Sequence, residues 1–203
     1  MSEVLLAAPL RVEAALISSA SRGAIIRKTG MGPEKAKAAA GELTAQPGSA
    51  LLVVGFCGGL DASSVPGEVI VAEHVYAAAD EGHAERRIDC GLAADLVVRL
   101  TGLGMKVRSG PVVCVSKLAL GERRAELLAG GAIAVDMESV WLAEAARDRP
   151  FGVVRVVLDS PTHELMRVQA VGGALRAALA LRRVAAALQG WSPIALHDVV
   201  PAD

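Results

Sequence analysis

Aromatic side chains are scarce in this chain: two Phe, two Trp and one Tyr among 203 residues. A surface that stacks nucleic-acid bases is therefore excluded, and the core must be built from Ala, Val, Leu and Ile. A basic block is also missing. Twenty-one Lys and Arg stand against 22 Asp and Glu, for a formal charge of −1, so nucleic acid is not an expected partner. Cysteine is sparse: Cys57, Cys90 and Cys114 are odd in number, far apart and form no CxxC pair. That excludes a disulfide framework and fits a reduced, cytoplasmic setting in which each thiol packs as a small hydrophobe. The four histidines, His74, His83, His163 and His197, lack metal-ligand spacing, so no bound metal is expected. No apolar run approaches the roughly 20 residues of a membrane span. The short run Val4 to Leu10 is followed by Arg11 and Glu13 and does not read as a secretory signal.

What is present is a 53% hydrophobic, 21% charged chain, a composition that buries a sizeable core. Apolar runs suited to strands recur at Val4–Ala8, Ala24–Lys28, Ala50–Gly55, Glu68–Val75, Val107–Val115, Ile133–Val135 and Phe151–Leu158. Helical spacing covers Glu34–Leu43 after Pro33, Gly91–Leu100, Glu122–Leu128, Glu138–Arg147 and Val168–Leu188. This alternation predicts an α/β fold, a single-domain three-layer sandwich with a mixed, largely parallel central sheet. The domain is expected over residues 1–190. An irregular tail, 191–203, carries Pro193 and Pro201, and the charged segment Asp80–Asp89 reads as an exposed loop.

Four places carry chemistry, because in open α/β sheets ligands bind at the carboxyl ends of strands. Asp136-Met137-Glu138 lies where a strand gives way to a helix. Asp136 as a helix cap and Glu138 in a first turn is one reading. The other turns Glu138 toward a cleft, where two carboxylate oxygens suit a vicinal diol and Met137 offers a polarizable surface beneath it. Asp159 ends the strongest strand. It either starts the turn at Ser160-Pro161 or acts as an acid whose burial keeps a proton available. Glu13 follows the first strand, either as a surface carboxylate in a helix's first turn, paired with Arg11, or as a group that orients a water. The glycine turns Thr29-Gly30-Met31-Gly32 and Gly55-Phe56-Cys57-Gly58-Gly59 complete neither a P-loop nor GxGxxG. A nucleotide-binding regulator is disfavoured accordingly.

In this order, Glu13, the Thr29–Gly32 turn, Val54-Gly55-Phe56-Cys57-Gly58-Gly59-Leu60, Pro66-Gly67-Glu68-Val69-Ile70-Val71, Ala134-Val135-Asp136-Met137-Glu138-Ser139 and Val154-Arg155-Val156-Val157-Leu158-Asp159 resemble the nucleoside phosphorylase and nucleosidase superfamily. That group includes purine nucleoside phosphorylases and methylthioadenosine/S-adenosylhomocysteine nucleosidase. The wording from Val135 to Ser139 looks closest to the hopanoid-associated phosphorylases, which are thought to remove adenine from adenosylhopane. The resemblance implies cleavage of the N-glycosidic bond of an adenosine-type purine nucleoside by water or phosphate. It implies no organic cofactor or metal, and a homodimer or larger homo-oligomer. It gives Glu138 the ribose hydroxyls with Met137 beside them, Asp159 the purine N7 and Glu13 the attacking water. Gly58 and Gly59 lie beside the nucleophile, and Leu118 and Leu120 stand where the family often stacks an aromatic ring on the base. Phe56 occupies the position of the family's usual small hydroxyl residue. Val53 replaces the phosphorylases' arginine, leaving Arg11 as the available cation. Phe56 also motivates a competing expectation, a nucleoside-binding protein without turnover.

Overall fold

Two stretches of uninterrupted burial, Leu5–Ala8 and Leu51–Val54, mark strands covered on both faces, as parallel strands between helical layers must be. The computed structural model describes residues 3–79, 86–147, 149–163 and 170–193. Among these the chain runs β1 (Leu5–Ala8), α1 (Arg11–Ala20), β2 (Ile25–Lys28), α2 (Pro33–Thr44), β3 (Leu51–Gly59), β4 (Val69–Ala77), β5 (Arg87–Asp89), α3 (Ala93–Gly102), β6 (Val107–Cys114), α4 (Glu122–Ala129), β7 (Ala134–Asp136), α5 (Ser139–Leu142), a 3-10 turn (Ala143–Ala145), β8 (Phe151–Asp159) and α6 (Ala170–Leu188).

The sheet is mixed. β1 lies parallel between β2 and β3, β3 runs parallel to β8, and β6 runs parallel to β4 and β7. Antiparallel pairs join β3 to β7, β4 to β8 and β4 to β5. The pairings β3–β8–β4–β6–β7 return to β3, so the middle of the sheet closes on itself. Strand alternation sorts the core into two faces. Leu5, Ala7, Leu51 and Val53 pack with Ala36, Ala40 and Leu43 of α2 and Trp141 of α5. Leu6, Ala8, Leu52 and Val54 pack with Ile17 of α1, Leu96 and Leu100 of α3, and Leu181 and Val184 of α6. Helices on both faces make three layers. Each fully buried aliphatic side chain contributes about 1.5–3 kcal/mol, which explains how so few aromatics suffice.

Three expectations need correction. The glycine segment after Gly55 is no turn, because β3 continues to Gly59 and takes up a bulge between Cys57 and Gly58. The end of the Asp80–Asp89 segment is a strand: Arg87–Asp89 pairs with His74–Tyr76 along an edge. Charged residues protect such an edge from further pairing and erase the apolar period. Residues 80–85 lie outside the described residues. The expected helix Glu138–Arg147 shortens to α5 and the 3-10 turn, and almost every side chain from Ser139 to Ala146 is buried. Its apolar residues are core rather than an outer face. One expectation is met in part: α1 begins at Arg11, immediately after β1, and Glu13 lies in its first turn, buried rather than at the surface. The expected tail lies outside the described residues from 194 onward.

Candidate functional site

The carboxyl ends of β1, β2, β3, β7 and β8 converge on one cavity of about 140 Å³. Glu13 enters it from the first turn of α1. Its Oε2 accepts from the Leu10 amide at 2.6 Å, the reach-back of a helix start, and its Oε1 accepts from the Phe56 amide at 2.7 Å. This crossing to β3 needs Gly55. A Cβ there would stand 2.6 Å from Glu13 Oε1 and 2.9 Å from Arg155 Nη1. Burial pushes the Glu13 carboxyl above its ordinary range, while Arg155 and the two amides pull it back only in part.

Behind this lies a caged cation. Arg155, in the middle of β8, is fully buried, and its Nη2 lies 2.6 Å from Asp136 Oδ2 and 3.3 Å from Glu138 Oε2. Nη2 also donates to Ser139 Oγ at 3.0 Å, and Nη1 donates to the Phe56 carbonyl at 3.4 Å. Burial opposes its charge, but Asp136, Glu138 and Glu13 outweigh burial and hold its proton more tightly. Asp136 also receives the amides of Glu138 and Ser139, each at 3.3 Å, the Ser139 hydroxyl, and the Cys114 thiol at 2.8 Å. Asp136 ends β7 and orders the chain that follows, but Glu138 rather than Asp136 stands at the cap position of α5, so the capping reading is off by two residues. Glu138 differs. Its Oε1 accepts from the Gly32 amide at 3.0 Å, in the Thr29–Gly32 turn, where Gly30 and Gly32 have φ near +88° and +89°. Burial first, then Asp136 and Glu13, push Glu138 up to about 7 against the pull of Arg155 and the Gly32 amide.

The other end of the cavity holds a second buried pair. Asp159 closes β8 beside Gly58 of β3, its register partner. Asp159 Oδ2 accepts from Arg124 Nη2 at 2.6 Å, and both side chains are nearly enclosed, at 7% and 4% exposure. Arg124 reaches in from α4 and is steadied by Nε donating to the Ala119 carbonyl at 2.9 Å. Gly58 is tight as well: a Cβ would stand 3.1 Å from Val135 Cγ1, 3.2 Å from Arg124 Nη2 and 3.3 Å from Asp159 Oδ1, so these groups would have to give by a few tenths of an ångström. Burial alone had been expected to govern Asp159, and the sequence reading contained no cation at this spot.

The lining brings together Glu13, Phe56, Gly58, Leu118, Met137, Glu138 and Asp159. Three expected residues do not join them. Arg11 opens α1 with its side chain in solvent, on a different side of the helix from Glu13. Gly59 points away from the cavity, toward Ser64, because neighbouring strand residues face opposite sides. Leu120 is 53% exposed and outside the lining. Arg155 and Arg124 were missed. Arg155 left a signal, since a charge inside a strand buried on both faces must be paired. Arg124 left none: in sequence it is the twin of Arg123, which pairs with Glu126 at the surface. Among the described residues no group of His, Cys, Asp and Glu is arranged for a metal, and no helix is long and apolar enough to cross a membrane.

Residues 15–188 match the sequence profile of the phosphorylase superfamily. The chain belongs to this superfamily. A search of curated proteins finds no match. Among solved structures, futalosine hydrolase of Helicobacter pylori strain 26695 superposes with a TM-score of 0.77 at 14% identity, over 92% of this chain and 97% of that one. The 5'-methylthioadenosine/S-adenosylhomocysteine nucleosidase from Neisseria meningitidis, in complex with methylthio-immucillin-A, gives 0.76 at 16% identity, over 93% and 98%. S-adenosylhomocysteine nucleosidase from Streptococcus pyogenes, in complex with 5-methylthiotubericidin, gives 0.71 at 17% identity, over 91% and 96%. At such identities these superpositions speak for the fold, a phosphorylase-superfamily fold covering nearly the whole chain.

Proposed function

We propose that this chain cleaves the N-glycosidic bond of a purine nucleoside by hydrolysis. The observation that carries the reading is one cavity lined by Glu13, Glu138 and Asp159, with the apolar faces of Met137, Phe56 and Leu118 between them. Breaking such a bond builds positive charge on the sugar and negative charge on the departing base, so it calls for anionic groups near one and a donor near the other. Glu138 serves the ribose 2′,3′-hydroxyls through an oxygen not wholly taken by Arg155. Glu13, held by two amides and raised by burial, takes a proton from the attacking water as oxygen bonds to C1′ and the base leaves. Asp159, beside Arg124, delivers the proton that the purine takes up as its bond to C1′ breaks, so the base leaves neutral. The reaction class needs no metal or organic cofactor.

Water is favoured over phosphate because the arginines at the cavity already sit beside carboxylates and Arg11 faces solvent, which leaves a phosphate dianion poorly matched. Phe56, lining the space beside Glu13, narrows it further. The likeness of the Val135–Ser139 wording to the hopanoid-associated phosphorylases makes adenosine-type nucleosides, adenosylhopane among them, the first substrates to assay. A cytoplasmic setting and a homo-oligomer belong to the same reading. Val171, Leu175 and Leu179, at 80%, 62% and 51% exposure, form a stripe along α6 suited to a second copy. The test is chromatographic: free base and reducing sugar should appear without phosphate. A ribose 1-phosphate product that requires phosphate would replace hydrolysis with phosphorolysis, and binding without release would favour a nucleoside-binding protein.

A further inference from the structure

The turn between β3 and β4 carries a charge network that the chemistry above leaves unused. Arg108 reaches it from β6. Its Nη1 lies 2.5 Å from Asp61 Oδ2, and its Nη2 donates to Ser64 Oγ at 2.6 Å and stands 3.4 Å from Glu68 Oε2. Lys106 brings a second cation 3.4 Å from Glu68 Oε1, but its side chain is largely in solvent, whereas Ser64 and Glu68 are buried. Asp61 Oδ1 also receives the Ser63 and Ser64 amides, at 2.8 and 3.0 Å. One guanidinium thus ties three residues of the turn together. Without it, Asp61 and Glu68 lose their shared cation, and Glu68 stays buried with Lys106 alone beside it.

The turn so held grips β8 on both sides of Asp159. Before it, the Val157 amide donates to the Glu68 carbonyl and the Gly67 amide donates to the Val157 carbonyl, each at 2.9 Å. After it, the Thr162 hydroxyl donates to the Ala62 carbonyl at 3.2 Å. Ser64 also backs the end of β3, since a Cβ on Gly59 would stand 2.4 Å from Ser64 Cβ. Gly58, the neighbour of Gly59, is the register partner of Asp159.

We propose that Arg108 is a positioning residue: through Asp61, Ser64 and Glu68 it locks the β3–β4 turn onto β8 and so sets where the Asp159 carboxyl stands at the cavity. This rests on the cleavage reading above and on the acid role of Asp159 in it. Arg124 holds the Asp159 carboxyl group itself, and Arg108 holds the chain that carries it. Proton delivery needs that carboxyl in place, and a misplacement of about 1 Å costs about 10²-fold in rate.

The test is a double-mutant cycle on the full chain: wild type, Arg108→Met, Asp159→Asn and the double variant, each read by single-turnover base release from adenosine and by equilibrium adenosine binding. Arg108→Met should slow base release about tenfold or more while affinity stays within about threefold, and Arg108→Lys should recover part of the rate. In the Asp159→Asn background the same substitution should change the rate no further, because the acid it positions is already gone. An equal loss in both backgrounds, or a rate that Arg108→Met leaves unchanged, would overturn the proposal. Hydrogen exchange supplies a readout that does not depend on turnover. The Gly67 and Val157 amides should exchange about tenfold or more faster in Arg108→Met, and the Gly32 and Phe56 amides as in wild type. Unchanged exchange at Val157 would overturn the proposal whatever the rates. Should Arg108→Met fail to fold, Ser64→Ala removes only the hydroxyl that Arg108 holds and should give the same pattern with a smaller loss. Failure of the cleavage reading looks different: wild type releases no base, and exchange at Val157 then decides the role of Arg108 alone.

Discussion

Two buried arginines flank the same cavity and are used differently. Arg155 sits inside β8 with Asp136, Glu138, Ser139 and the Phe56 carbonyl around it, and three carboxylates share its charge. Arg124 comes from a helix, meets one carboxylate and keeps an unpaired N–H beside a pocket. The first arrangement is closed: it orders the acids and holds β8 to the chain that follows β7. The second borders a side pocket of the cavity. Each arginine keeps one buried N–H without a hydrogen-bond partner, Arg155 at Nε and Arg124 at Nη1, so the difference between them lies in how many carboxylates each holds and in Arg124 bordering a pocket.

Breaking the closed cluster should have the largest effect. Arg155→Met leaves Asp136, Glu138 and Glu13 buried without their common cation. Removing one partner of such a cluster costs about 3–5 kcal/mol. Thermal unfolding should show a fall of many degrees or no cooperative transition. A melting curve like that of wild type would mean the cage is dispensable.

Beside the second arginine, Asp159→Asn should leave the fold in place and lower base release about 10²–10⁴-fold, with nucleoside affinity kept within about tenfold. Single-turnover rates and equilibrium binding separate the two effects. A near-normal rate would remove Asp159 from the chemistry.

Glu138 links the two regions, since it touches both the cage and the cavity. Glu138→Gln should weaken ribonucleoside binding by about 1.5–3 kcal/mol for each charge-assisted bond lost. Binding of a 2′,3′-dideoxy nucleoside should hardly change. Equal affinity of wild type for the two nucleosides would contradict the ribose assignment.

A smaller, pH-dependent effect follows from the same residue. Its folded pKa, about 7, lies above the ordinary carboxylate value, so the folded state binds more protons over that interval. Its contribution to stability is fully present below about pH 4.5 and is lost as pH rises toward 7. Glu138→Gln should flatten this part of the stability profile. Discrimination between ribo- and dideoxynucleosides should move the other way and strengthen as pH rises through 7. A flat wild-type profile that the substitution leaves unchanged would show that Glu138 does not titrate there.

The layers of the fold could be read from the sequence because buried parallel strands are continuous apolar runs: Leu51–Val54 and Phe151–Leu158 declare themselves. The end of β3 could not, since Gly55, Gly58 and Gly59 look like a turn in sequence. They are glycines because Glu13, Arg155, Arg124, Asp159 and Ser64 occupy the space a Cβ would need. The carboxylates of the site stood at strand ends, where composition and position coincide. Their cations did not. Pairing across 17 residues (Arg155 with Glu138) or 35 (Arg124 with Asp159) is a property of the packed sheet, not of local spacing. The edge strand Arg87–Asp89 was hidden for a related reason, its charges being what suits it to an edge.

Release of free base from a panel of 5′-substituted adenosines, with and without phosphate, tests the central claim most directly. The account predicts stoichiometric purine and reducing sugar in phosphate-free buffer, lost in Asp159→Asn. Tight nucleoside binding with no base released in either buffer would contradict it.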